Sequence, residues 1–180
     1  MLKISKQKIQ PNQWDGGLTY EYFIYPKDSQ YVNRNFDFRI SSATIEKIPS
    51  NFTQFQGYFR YLVMLDNSLQ ILRNNRIEEY GKLEIFEFHS NEKIISNSLG
   101  NDFNLMISNR IQEHDLIVFQ GSKVVNADWI ILFALSETVV YINQIEQKLI
   151  SNDCLLIENS EKLEIEIRIS AKLIFATLYS

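Results

Sequence analysis

Two arginines stand where a strand would turn them away from solvent. In "NFDFRISSATI" (35–45), Phe36, Phe38 and Ile40 alternate with Asp37, Arg39 and Ser41, and the polar phase then turns apolar at Ala43 and Ile45. The face that carries Arg39 is therefore not simply a wet one. In "GYFRYLVML" (57–65), Arg60 shares a face with Leu62 and Met64, and in "NDFNLMIS" (101–108), Asp102, Asn104 and Met106 share a face. A guanidinium can grip a carboxylate with two parallel hydrogen bonds, and a hydroxyl two residues along the strand adds to the same side. Burying it without an anion is costly. Two readings stay open. In the first, an internal ion pair such as Arg60 with Asp102 staples the strands. In the second, Arg39, Ser41, Arg60, Asp102, Asn104 and Met106 line a small pocket among apolar neighbours and the anion is a ligand. Asp102 or Asp37 would be the groups for acid–base work if the pocket catalysed a metal-independent isomerisation or hydrolysis.

Other chemistries find little material. The only histidines are His89 and His114, which stand singly, so no mononuclear metal site and no cofactor is expected. Cys154, the one cysteine, shares a strand face with Leu156 and reads as a small core residue. It cannot form an internal disulfide. No Gly-x-Ser-x-Gly elbow occurs. Gly16-Gly17 is too short to cradle a phosphate and reads as a turn needing positive φ.

The elements that must carry these residues are strands. Apolar alternation with period two runs through "LTYEYFIYP", "FRYLVML", "KLEIFEF", "HDLIVFQ", "WIILFAL", "TVVYI", "DCLLIE", "KLEIEIRIS" and "KLIFATLYS". The nearest approach to a helical stripe, "NQIEQKLIS", is short. Asparagines such as Asn74, Asn75, Asn143 and Asn152 stand between the strands, where six glycines and three prolines are too few to make every turn. The pattern also repeats. Leu62–Leu72 aligns with Leu132–Ile142 without a gap, and one inserted residue then brings 81–86 over 152–157. Two similar β units are expected, with approximate halves 1–100 and 101–180.

Composition sets the class. The chain has 180 residues, 45 % hydrophobic and 22 % charged, which is ordinary for a folded soluble domain. With 18 basic and 22 acidic side chains and no basic patch, neither nucleic acid nor a membrane surface is an expected partner. The first residues lack the apolar core of a signal peptide, and the longest apolar run, 129–135, is strand-sized, so a cytoplasmic location is expected.

Four motifs occur in order: "WDGGLT" (14–19), "FDFRISSATI" (36–45), "FTQFQGYFRYLVML" (52–65) and "DFNLM" (102–106). Together they resemble the HutD/Ves family over residues 14–107. The resemblance implies a cytoplasmic bacterial bicupin, a link to histidine utilisation or stress response, and no assigned reaction. It also adds Trp14 to the candidate ligand-binding residues. The chain departs from the family pattern at "HSNE" (89–92), at "SLGN" (98–101) and at Phe38, where the pattern has tryptophan.

The combined expectation is an all-β, cupin-like double-stranded β-helix, with two packed halves forming one unit over 1–180. Its expected partner is a small anionic metabolite, bound in a regulatory or buffering role by a non-enzymatic or weakly enzymatic protein. The alternatives are the metal-independent enzyme and a protein-interaction module, and a homodimer is left open.

Overall fold

The computed structural model describes residues 1–179. The fold is all-β. The first strands are β1 (Leu2–Ser5), β2 (Asn12–Trp14), β3 (Gly17–Tyr25), β4 (Phe38–Ile45), β5 (Ser50–Asn51) and β6 (Tyr58–Met64). Then come β7 (Leu69–Arg73), β8 (Arg76–Tyr80), β9 (Ile85–His89), β10 (Ile94–Ser96) and β11 (Gly100–Ser108). The rest are β12 (Glu113–Val125), β13 (Trp129–Ala134), β14 (Thr138–Ile142), β15 (Ile145–Leu149), β16 (Asp153–Glu158) and β17 (Ile165–Tyr179). Two 3-10 turns, Lys6–Lys8 and Tyr31–Asn33, are the helical elements among the described residues, and no helix there is long and apolar enough to cross a membrane.

Two compact units emerge, Ile9–Arg110 and Met1–Lys8 with Ile111–Ser180. In the first, a six-stranded sheet runs β2-β3-β4-β11-β6-β9 and a four-stranded sheet runs β5-β10-β7-β8. In the second, one sheet runs β1-β16-β13-β17-β14-β15, with β12 along β17. The strand pairings match between the units. β6 pairs β9 and β11 as β13 pairs β16 and the C-terminal part of β17. The β7–β8 hairpin answers β14–β15. The long β17 does the work of β10 and β11 in succession, so two predicted strands, "KLEIEIRIS" and "KLIFATLYS", are one element. The helix-like stretch "NQIEQKLIS" is the strand β15.

The turns follow the asparagines. Asn74 and Asn75 have φ 52° and 61°, and Asn143 and Gln144 have φ 47° and 69°. Two successive left-handed residues match the twist of a tight hairpin. Gly17, at φ 147°, lies so close to the Thr44 carbonyl that a Cβ there would strike it. Gly16 has a different reason: the Trp14 ring folds over it and fills the space of a side chain.

Candidate functional site

The six-stranded sheet of the 9–110 unit carries a cavity of about 440 Å³ on one face. Ladder register arranges that face in rows across the strands. The first row runs Arg39, Met106, Arg60, Phe88 and the second Glu21, Ser41, Asn104, Leu62. In the third, Thr19 stands opposite Ala43 on β3–β4, and Asp102 opposite Met64 on β11–β6. Neighbouring strands lie about 4.8 Å apart, so Arg39 and Arg60 flank Met106 at roughly 10 Å from each other.

Glu21 reaches this face through a bulge. The register of β3 on β4 shifts between Glu21 and Phe23, so Tyr22 is the extra residue. An uninterrupted ladder would put Tyr22 opposite Ser41 and turn Glu21 to the other side. Glu21 is the functional residue that alternation alone misses. The only sequence sign is that "LTYEYFIYP" keeps large residues in both phases.

The two arginines differ in their partners. Arg39 is 7 % exposed; its Nε donates to Glu21 Oε2 at 2.6 Å, its Nη1 donates to Ser41 Oγ at 3.1 Å, and its guanidinium lies 4.3 Å from the centre of the Tyr31 ring. Arg60 is also 7 % exposed, but it forms no ion pair among the described residues. Its Nη1 donates to the Thr53 carbonyl at 3.4 Å, and its guanidinium lies 5.2 and 5.6 Å from the ring centres of Phe88 and Phe52. Its Nε is buried and has no acceptor. Burial pushes the guanidinium down to about 10, against the pull of Tyr31 and Asp102, and the nearby Arg39 lowers it further.

Six of the seven predicted residues line the cavity: Trp14, Arg39, Ser41, Arg60, Asp102 and Asn104. Met106 is fully buried beneath, packed with Phe36, Phe55 and Tyr58. Asp102 accepts from the Ala43 amide at 2.8 Å, and its charge acts on the Arg60 guanidinium. The ion pair that does form is Arg39–Glu21. Asn104 is 7 % exposed, and its Oδ1 is buried without a donor. Asp37 lies outside the cavity, ion-paired at 2.6 Å with Arg110.

The matching rows of the other unit are apolar but for Thr177. Ile130, Leu132 and Ala134 on β13 take the places of Arg60, Leu62 and Met64, and face Thr177, Phe175 and Leu173. These β13 residues, Leu173 and Phe175 belong to one core cluster. Cys154 is wholly buried, and burial pushes its thiol up to about 12. His89 sits edge-on to Phe59 at 5.4 Å, and burial lowers His114 from its ordinary value. Among the described residues no group of three or more His, Cys, Asp or Glu gathers to hold a metal.

The HutD family model matches residues 6–175. The chain belongs to the HutD family. Solved structures agree with this at the level of fold. A conserved protein of unknown function from Pseudomonas aeruginosa is 19 % identical with a TM-score of 0.87, covering 99 % of this HutD chain and 98 % of its own. HutD from Pseudomonas fluorescens, in a formate condition, is 20 % identical with a TM-score of 0.83 over 99 % and 97 %. A cupin 2 conserved barrel domain protein from Leptotrichia buccalis is 8 % identical with a TM-score of 0.58 over 98 % and 96 %. The HutD fold is thus cupin-like. No curated protein matches the chain in sequence.

Proposed function

We propose that this HutD-family chain binds a small anionic metabolite in the cavity of its 9–110 unit and serves regulation or metabolite buffering. The observation that carries this reading is Arg60. A guanidinium nine-tenths buried, in no salt bridge among the described residues and with an Nε that has no acceptor, is costly unless an anion answers it. Aromatic rings and a few convergent polar groups around it make the lining expected of a ligand pocket. The family name supports histidine utilisation as the setting, in the bacterial cytoplasm. The matched pairings of the two units support reading the chain as a bicupin with one barrel in each. A second reading, metal-independent acid–base catalysis, draws on Asp102, whose carboxylate lines the same cavity as Arg60.

A melting-temperature screen against small carboxylates and intermediates of histidine breakdown tests the proposal. A ligand at a hundred times its Kd adds about 2.7 kcal/mol of stability. The expected result is a rise with at least one carboxylate, no turnover, and loss of the rise in Arg60→Met. Turnover that disappears in Asp102→Asn while binding persists favours the enzyme. No response to any carboxylate removes the binding reading.

A further inference from the structure

Strand β12 has a ladder on one side only. Among the described residues its partner is β17, along the whole run from Glu113 to Val125. In the other unit β4 stands against β11 as β12 stands against the C-terminal part of β17. There the far edge of β4 is taken by β3, from Gly17 opposite Ile45 to Tyr25 opposite Phe38. No described strand takes that place on β12.

Burial locates the opening. Ile117 stands opposite Phe175 and Val118 opposite Ile174, and both of these β17 residues are buried, so the ladder is covered on both faces at this point. Yet Ile117, Val118 and Phe119 are all only half-buried. Exposure that reaches both phases of such a strand enters along its free edge. The run "LIVF" (116–119) is apolar in both phases and holds no charge and no proline, which makes it an edge that proteins normally cover. The strand is also continuous there. The ladder shifts between Phe119 and Gly121, but the extra residues lie on β17, which takes four steps from Ile169 to Leu173 against two on β12.

The charges at the two ends say what this edge fits. Glu113 and Asp115 stand at its start and Lys123 near its end, all in one phase, and none is in a salt bridge among the described residues. Two identical strands paired parallel and in register would set like charge against like. Paired antiparallel about a twofold axis through Val118, they set Val118 against itself, Ile117 against Phe119, and Lys123 against Glu113 with Asp115 on the diagonal. The symmetry makes each unlike pair twice. Charges that would repel most strands therefore select a second copy of this one.

We infer that β12 is the interface of a homodimer, in which two copies of the chain pair edge to edge and antiparallel about Val118. This goes beyond the cavity reading and does not depend on it.

Sedimentation of the full chain from micromolar to submillimolar concentration reads the dimer directly. A chain that stays monomeric throughout overturns the inference. Charge exchange then locates the contact. Glu113 and Lys123 are ten positions apart, roughly 33 Å along one strand, so within one chain they do not meet. Glu113→Lys and Lys123→Glu should each raise the dimer Kd at least tenfold, because each sets like charges together at two symmetric places. The double exchange should return Kd most of the way to the parent value, which a role inside the monomer would not do. Single exchanges that leave Kd unchanged, or a double exchange no tighter than either single, overturn the interface. A cysteine pair gives a second readout free of charge effects. Val118→Cys places a thiol against its own copy, where the backbones of an antiparallel pair stand about 5 Å apart, within disulfide reach. Val124→Cys, in the same phase, would lie opposite position 112 and serves as the control, and the native Cys154 is buried. Mild oxidation should give a covalent dimer from Val118→Cys and not from Val124→Cys. Equal yields from the two, or a dimer that Val118→Cys does not lock, overturn the pairing.

Discussion

Replacing Arg60 with Met should make the empty protein more stable while removing its response to anions. Burial lowers the guanidinium from the ordinary arginine value to about 10. At 1.36 kcal/mol per decade of proton affinity, the fold disfavours the charged form by roughly 3 kcal/mol. Because the folded value lies below the unfolded one, this penalty is fully present at neutral pH and is relieved only as pH rises through about 10. Methionine keeps much of the stem and removes the charge. Two losses offset the gain. The hydrogen bond to the Thr53 carbonyl is long at 3.4 Å and weak, and the ring contacts at 5.2 and 5.6 Å are worth about 0.5–1 kcal/mol each. The net is a stabilisation of about 1–2 kcal/mol, or roughly 2–8 °C in melting temperature for a chain of this length. Differential scanning calorimetry at pH 7 without ligand reads it directly. A variant that melts below the parent would show that something in the protein already answers Arg60, and the reasoning would fail.

Glu21→Gln removes the charge that neutralises Arg39. It should lower the melting temperature by a few degrees and raise carboxylate affinity about tenfold, measured by titration calorimetry, because a second guanidinium becomes available. Gly17→Ala should cost about 3 kcal/mol or more in chemical denaturation, since its Cβ would strike the Thr44 carbonyl at a φ that L residues avoid. The Cys154 thiol, held at about 12 by burial, should react with a thiol reagent at pH 8 only on unfolding, so its labelling rate should follow the denaturation curve.

Much of this architecture was legible because alternation is a direct record of a half-buried ladder. Phe36, Phe38 and Ile40 are all wholly buried, as their phase requires. The aligned stretches 62–72 and 132–142 each hold strand, turn and strand, as their alternation requires. Four features were not legible, each for a physical reason. Continuity of β17 depends on what lies beside it, and local sequence does not record that "KLEIEIRIS" and "KLIFATLYS" share one ladder along β12. Asp37 shares its alternation phase with Arg39, yet β4 begins at Phe38, and Asp37 turns to Arg110, seventy-three residues away. Glu21 was hidden because a bulge inverts the phase of the strand that carries it. Pattern also cannot grade depth: Asn104 and Met106 share a face, but one borders the cavity and the other lies beneath it.

The bulge at Tyr22 also bears on how the gene can change length. Residues on either side of it, Glu21 opposite Ser41 and Phe23 opposite Ile40, already hold the register of a strand one residue shorter. A codon lost there would straighten β3 and leave Thr19, Glu21 and Ile24 on the faces they now occupy. A codon lost further along β3 could be absorbed in the same way only by residues that change sides in between. Relatives without the bulge should therefore be compared with this chain across a single-residue gap at Tyr22, and a deletion of Tyr22 is the length variant most apt to keep the Arg39 ion pair intact.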